Sequence, residues 1–101
     1  METYSVVYSL VALQQLRDIE RFISAESAPD RAVAYTKRIR QACESLRSFP
    51  YRHRLRDDVR PRLRVVGFEG RASIHYMIDD DSATVIVLGI YYGGQDWESR
   101  Y

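Results

Sequence analysis

The sequence predicts one α+β domain, made of an N-terminal strand, an antiparallel helical hairpin, and an antiparallel sheet that ends in a three-strand meander. Two stripes of apolar residues at helical spacing come early in the chain, and three runs with strand character follow them. A helical hairpin can bury its apolar stripe only against one face of a sheet. The chain has 101 residues, 46% of them hydrophobic, which is enough for one core, so residues 1–101 are predicted to form a single domain.

A strand and a helix are predicted at the N-terminus. Residues 4–8 (YSVVY) form a short run rich in β-forming side chains. Ser9 follows as a favourable N-cap residue. Apolar residues then recur three or four positions apart, as on one face of an amphipathic helix. They are Ala12, Leu16, Ile19 and Ile23.

The second helix is the strongest periodic signal in the chain. Pro29 stands where the first helical position is expected, and Pro50 ends the segment because proline disfavours helical angles in the residue before it. Only a short break separates the two helices, which predicts an antiparallel hairpin. The stripe alternates spacings of three and four residues: Ala32, Tyr35, Ile39, Ala42, Leu46 and Phe49.

Three strands, joined by tight turns, complete the predicted sheet. They are residues 62–68, 71–78 and 84–92, after an arginine-rich loop at residues 51–61. Side chains of the middle strand alternate between two faces, which is the pattern of a strand with one buried face. One face carries Ile74, Tyr76 and Ile78, and the other carries Ser73, His75 and Met77. The last strand is almost wholly apolar, which indicates a central strand.

The face of the sheet away from the helices is predicted to stay open. Alternation places Leu63 and Val65 on the buried face and Arg62 and Arg64 on the open one, together with His75. Because the last strand is apolar on both sides and two helices cover only one, a partner chain is expected to cover the other. A fold-back of the C-terminal tail over this face is the alternative.

Positive charge is concentrated in one part of the chain. Seven arginines lie from Arg47 to Arg64, against Asp57 and Asp58. Lys37 is the only lysine among 15 basic residues. Arginine contacts carboxylates and phosphates through a planar pair of donors, so the bias suits a recognition surface, although a solvated basic loop is the commoner use of such a cluster.

Composition excludes several kinds of site. Cys43 is the only cysteine, which excludes an intrachain disulfide and a cysteine-based zinc site. His53 and His75 are too few for a histidine zinc site, and the acidic run at 79–81 is expected to be a solvated turn, so no metal or cofactor is predicted. No signal peptide and no apolar run of membrane-spanning length is visible, so a cytoplasmic location is expected.

Six phrases along the chain resemble those of one known family in order and in spacing. SAPDRA at 27–32 resembles the phrase S-P-x-x-A with one residue inserted before the proline, and IHYMI at 74–78 matches I-x-Y-x-I. The family is that of the ParE-type toxins, within the RelE/ParE superfamily. The other four phrases are a Tyr-Ser strand end before Ala12 and Leu16, LRSFP at 46–50, RDDVRPRLR at 56–64, and VLGIYYGGQD at 87–96.

This resemblance implies the toxin of a bacterial type II toxin–antitoxin system, a class associated with plasmid stabilisation. A ParD-type antitoxin would silence it by wrapping the open groove with a C-terminal segment, and would make any contact with DNA. ParE members of the family inhibit DNA gyrase, whereas their RelE relatives cleave messenger RNA in the ribosome. Which target applies to this chain depends on its site residues.

The residues of the strands favour a toxin that is not an enzyme. A ribonuclease needs a base for the 2′-hydroxyl, cations for the phosphorane and an acid for the leaving group. The strands offer Arg64, Arg71 and His75, and arginine stays protonated and is a poor base. A gyrase-binding toxin is the preferred interpretation, and a RelE-type ribosome-dependent endoribonuclease using those three residues is the first alternative. A diverged toxin that retains only antitoxin binding is the second.

The antitoxin-binding surface is predicted from the basic and aromatic residues of the last three strands and the tail. Arginines suit an acidic antitoxin segment, and aromatic side chains provide contact area at low entropic cost. Ordinary packing is the alternative role of the aromatic residues. The predicted set is Arg62, Arg64, Arg71, His75, Tyr91, Tyr92 and Trp97.

Overall fold

The computed structural model describes residues 3–93, and the predicted order of elements is confirmed in that range. A two-residue strand inside the predicted arginine-rich loop is the one addition. None of the helices within residues 3–93 is long and apolar enough to cross a membrane. The elements are β1 (Ser5–Tyr8), α1 (Leu10–Glu26), α2 (Pro29–Glu44), a 3₁₀ turn (Ser45–Arg47), β2 (Arg54–Leu55), β3 (Arg64–Phe68), β4 (Ala72–Asp79) and β5 (Thr84–Tyr92).

The five strands form one sheet in the order β1-β5-β4-β3-β2. Strands β3, β4 and β5 make the predicted antiparallel meander. Strand β1 is parallel to β5, with Val6 beside Val85, so the sheet is mixed rather than antiparallel throughout. The sequence could not show this, because alternation of side chains reports which face a residue occupies and not the direction of its strand.

Helices α1 and α2 pack together on one face of the sheet, here called the inner face. Phe49, predicted to end the second stripe, is instead 57% exposed. The 3₁₀ turn at Ser45–Arg47 has three residues per turn, so it moves the following side chains out of helical phase. The main core cluster joins both predicted stripes to the sheet: Ala12, Leu16, Ile19, Tyr35, Ile39, Cys43, Ile74, Val87 and Ile90.

A β-bulge in β5 is bonded directly to the start of α1. His75 lies opposite Gly89 but Tyr76 lies opposite Val87, so Leu88 is the extra residue. The Ser9 hydroxyl accepts a hydrogen bond from the Ala12 N–H and donates one to the Leu88 carbonyl oxygen, at 3.0 and 2.8 Å. These bonds fix the helix start against the one irregular point of the strand.

The bulge determines which residues of β5 face the helices. The extra residue shifts the alternation by one, so that Val87 and Ile90 both lie in the core cluster beneath α1. The Gln15 side-chain oxygen accepts a hydrogen bond from the Ile90 N–H at 2.6 Å. The C-terminal part of β5 is therefore positioned by α1 as well as by its neighbouring strands.

Candidate functional site

The face of the sheet away from the helices, here called the outer face, carries an apolar strip. Paired residues share a face, and the register places Val7 beside Ile86 and Ile86 beside Met77. Val65 lies beside His75 on the same side. Val7 is 45% exposed, and Ile86, Met77 and Val65 are half-buried. Apolar side chains thus remain accessible on this face.

His75 lies on the outer face as predicted, but it is buried rather than open. Its side chain has 0% exposure and its ring centroid lies 4.6 Å from that of Tyr91, which is itself buried. Burial, and secondarily the positive charge of Arg56, lowers the pKa of His75 to about 4. The imidazole is therefore neutral at physiological pH and is not available to a macromolecular substrate.

Gly89 makes room for this aromatic pair. A Cβ atom at Gly89 would lie 2.9 Å from Cε2 of Tyr91 and 3.2 Å from the Tyr91 hydroxyl oxygen and from Oε1 of Gln15. The first distance is shorter than non-bonded carbon atoms tolerate. The missing side chain thus lets the Tyr91 ring lie close against the strand.

Arg64 lies on the inner face, which corrects the prediction that it is on the open one. It pairs with Tyr76, whose side chain is fully buried in the core. Its guanidinium donates to the carbonyl oxygens of Tyr51 and His53, at 3.2 and 2.7 Å. The core-packed residues of β3 are Val66 and Phe68 instead of Val65. Leu63 is buried as predicted, but it precedes the strand, which begins at Arg64, so its burial does not set the alternation of the strand.

Arg62 stands outside the strand at the same corner of the sheet. Its backbone is left-handed, with φ of 66°, and its N–H donates to Oδ1 of Asp57 at 2.6 Å. Arg62 and Arg64 line a cleft together with Asp79 and Asp80. These two predicted residues are therefore neighbours, but they do not share the outer face with His75.

Arg71 and Tyr92 lie in a third part of the sheet, at the end where β4 begins and β5 finishes. Tyr92 lies beside Ala72 and its ring contacts those of Phe22 and Tyr35, at centroid distances of 5.9 and 5.6 Å. Tyr91 and Tyr92 accordingly lie on opposite faces. Trp97, the last member of the predicted set, lies outside the described residues.

The three residues of the ribonuclease hypothesis do not come together. Arg64 is level with Tyr76 on β4, whereas Arg71 precedes Ala72. Four strand residues span about 13 Å, so the two arginines lie at opposite ends of the β3–β4 hairpin. His75 is on the other face from Arg64. Within residues 3–93, no group of His, Cys, Asp or Glu could hold a metal ion.

Two arginines that sequence reasoning missed lie at the edge of the outer face. Strand β2 places Arg54 beside Val65, and the Arg56 guanidinium is bonded through two nitrogens to Asp58, at 2.9 and 2.8 Å. A signal was present, because Arg-Leu-Arg at residues 54–56 repeats the alternation at residues 62–64 that was interpreted as a strand.

The chain belongs to the ParE toxin family. A family profile described as "ParE toxin of type II toxin-antitoxin system, parDE" matches residues 6–97. None of the curated proteins matches the chain in sequence.

Solved toxin–antitoxin structures share the fold of this chain. A chain of the chromosomal ParDE system from P. aeruginosa has a TM-score of 0.78 at 16% identity, over 90% of this chain and 97% of that one. A chain of the RelBE2 complex from Mycobacterium tuberculosis has a TM-score of 0.65 at 20% identity, over 89% and 98%. A chain of the intact E. coli RelBE complex has 0.67 at 13%, over 91% and 99%.

Replacement of Gly89 by alanine is expected to destabilise the fold. The new methyl group must displace Tyr91 or Gln15, and overpacking of this kind costs about 1–3 kcal/mol. Gly67→Ala is the matched control, because a Cβ atom there meets nothing within 4 Å. Urea denaturation of both variants measures the difference. Equal midpoints for the two variants would contradict the close packing at Gly89.

Protonation of His75 is expected to weaken the fold below neutral pH. The pKa is 6.5 for an ordinary histidine and about 4 in the fold, so between these values the unfolded chain binds a proton that the folded chain does not. The free energy of unfolding should therefore fall as pH drops through this window, by up to about 1.4 kcal/mol per pH unit.

Substitution of His75 by glutamine should flatten that dependence, measured as denaturation midpoints from pH 7 to pH 4. His53→Gln is the comparison, because the pKa of half-buried His53 is lowered in the same direction, by burial and by Arg52 and Arg64, and this variant shows how much of the slope comes from His53. An unchanged slope in the His75 variant would show that this histidine is not the group that titrates.

Proposed function

We propose that this chain is a cytoplasmic bacterial toxin that inhibits DNA gyrase by binding it and is neutralised by a ParD-type antitoxin. Membership of the ParE toxin family supports the toxin role, and the shared fold of the P. aeruginosa ParDE chain supports the type of antitoxin. In this proposal the toxin has no catalytic residues and no cofactor. Contact with DNA is left to the antitoxin, and plasmid stabilisation is the corresponding biological role.

The outer face is the observation on which the antitoxin part of the proposal depends. Val7, Ile86 and Met77 form an apolar strip there, with Val7 nearly half exposed. Removal of such side chains from water is favourable by roughly 25 cal/mol per Å² of apolar surface, and it must offset the entropic cost of association. An antitoxin segment with apolar residues on one side would cover the strip, and Arg54 at its edge would pair with an acidic residue of that segment.

The remaining predicted contact residues have different roles in this proposal. Arg62 lies at the corner of the sheet, where it can extend the antitoxin contact. His75 and Tyr91 support the outer face from within, since both are buried. Arg64 stabilises the fold through the loop carbonyl oxygens that it binds. A contact between the antitoxin and Arg71, Tyr92 or Trp97 stays a prediction.

The placement of the strand residues favours gyrase over the ribosome as the target. A general base must come within hydrogen-bond distance of the hydroxyl that it deprotonates. His75 is fully buried, and the two arginines that would assist it lie at opposite ends of a hairpin. Correct positioning of the catalytic groups accelerates a reaction by several orders of magnitude, so residues that lie this far apart are poorly suited to cleave RNA.

A charge on the outer face should weaken antitoxin binding. We expect Val7→Lys to raise the Kd of the antitoxin complex about tenfold or more, because it replaces buried apolar contact by a charge that must be desolvated. Val33→Lys is the control, since Val33 is also an exposed valine, at 56%, but lies on α2. Calorimetric titration with the antitoxin encoded beside the toxin measures both. Equal effects of the two variants would contradict docking on the outer face.

Inhibition of gyrase is tested by inducing the toxin without its antitoxin. We expect filamentous cells with a DNA-damage response, and loss of supercoiling when the purified toxin is added to gyrase. The variant Arg64→Lys/His75→Gln should remain toxic, with its circular dichroism spectrum and unfolding temperature as the control for its fold. Rapid loss of translation with cleaved messages, abolished in this variant, would overturn the proposal in favour of a RelE-type ribonuclease.

A further inference from the structure

A second cleft, on the inner side of the molecule, is separate from the outer face. It lies where α1 and α2 meet the β3–β4 turn and the end of β5, and its volume is about 370 Å³. This is within the range of small-molecule sites. Its lining includes Ile23, Arg31, Ala34, Tyr35, Arg71 and Tyr92.

Tyr35 lines this cleft and carries an unsatisfied hydrogen-bond donor. The residue is only 8% exposed, and its hydroxyl has no hydrogen-bond partner in the part of the chain that the structure describes. Its ring is held by Phe68, at a centroid distance of 5.7 Å, and by Tyr92. Buried hydroxyl groups in proteins almost always have a hydrogen-bond partner. The unsatisfied hydroxyl of Tyr35 therefore indicates an acceptor that comes from outside the chain.

The charged groups around that hydroxyl also line the cleft. Burial raises the pKa of Tyr35, and Tyr92 and Glu69 raise it further, whereas Arg38 and Arg71 lower it. The hydroxyl therefore stays protonated at neutral pH, and a hydrogen bond donated to an acceptor would stabilise it. Arg38 and Glu69 are already bonded to each other through two nitrogens, at 2.8 and 3.0 Å.

The cleft has a net positive charge. Among its lining residues within 3–93, three arginines (Arg31, Arg38 and Arg71) stand against Glu69, which leaves a net charge of +2 for these residues. The ion pairs within residues 3–93 involve neither Arg31 nor Arg71. Within the same residues, Arg31 donates a hydrogen bond to the Ser27 hydroxyl, at 3.4 Å. Two guanidinium groups are thus available to an anion at the rim.

The rest of the wall is apolar. Ile23 and Ala34 come from the helices, and the Tyr92 ring closes the end, packed against Phe22. A ligand that fits must combine a negative head with an apolar body. We propose that this cleft binds a small oxyanion with an apolar body, whose head accepts a hydrogen bond from the Tyr35 hydroxyl and pairs with Arg31 and Arg71. This site does not depend on the identity of the toxin's target.

Phenyl phosphate is the probe for this site, titrated into the purified toxin and followed by NMR and calorimetry. It should bind more tightly than inorganic phosphate or phenol, which carry only the head or only the body. Comparison with benzoate tells whether the head is a phosphate or a carboxylate. The absence of saturable binding by phenyl phosphate and benzoate, or equal binding of phenol, overturns the proposal.

Tyr35→Phe tests the hydroxyl, because it keeps the ring and removes only the donor. Binding of phenyl phosphate should weaken about tenfold, as for loss of one hydrogen bond to a charged group. Arg71→Gln should weaken it similarly, whereas Arg21→Gln, an exposed arginine on α1 paired with Asp18, should not. Unchanged affinity in the Tyr35 variant overturns the assignment.

Thermal unfolding of the same variant gives an independent result. Without ligand, Tyr35→Phe should unfold at the same or a higher temperature than the native chain, because an unsatisfied buried donor has been removed. Phenyl phosphate should raise the unfolding temperature of the native chain more than that of the variant. A lower unfolding temperature for the unliganded variant would mean that the hydroxyl is already bonded within the fold, and the proposal would fail.

Discussion

The contact between the start of α1 and the bulge of β5 is the constraint on which the rest of the structure depends. Ser9 and Gln15 each hydrogen-bond to the backbone of β5, on either side of Gly89. The bulge turns Ile90 toward the helices and leaves Tyr91 on the outer face, against His75. Without the extra residue, the side chains of β5 after Val87 would change face, so that Ile90 would leave the core and Tyr91 would leave the outer face.

This arrangement gives the two faces of the sheet different uses. The inner face carries the core, and at one end the cleft around Tyr35. The outer face has a buried His75–Tyr91 pair beside the apolar strip of Val7, Ile86 and Met77. A shared fold does not imply shared chemistry, and here the residues that could support ribonuclease chemistry are dispersed while the apolar strip suits a protein partner.

Much of the candidate site could not be predicted from the sequence. The sequence could not show that His75 and Tyr91 are neighbours on the outer face. Strict alternation places Tyr91 on the same face as Val87, and only the bulge moves it to the other face. Arg64 was assigned to the wrong face because the alternation was counted from Leu63, which is buried but precedes the strand. Arg54 was missed although Arg-Leu-Arg at residues 54–56 alternates, because a strand of two residues is too short for this alternation to distinguish it from the surrounding loop.

The sequence by itself determined the elements and their order. Spacings of three and four in the stripe from Ala32 to Ile39, and strict alternation along residues 71–78, are local properties that exist before any tertiary contact. Only the tertiary structure decided the parallel pairing of β1 with β5, the burial of His75, and the position of the Tyr35 hydroxyl in a basic cleft. These depend on contacts between residues distant in the chain, which a local pattern does not encode.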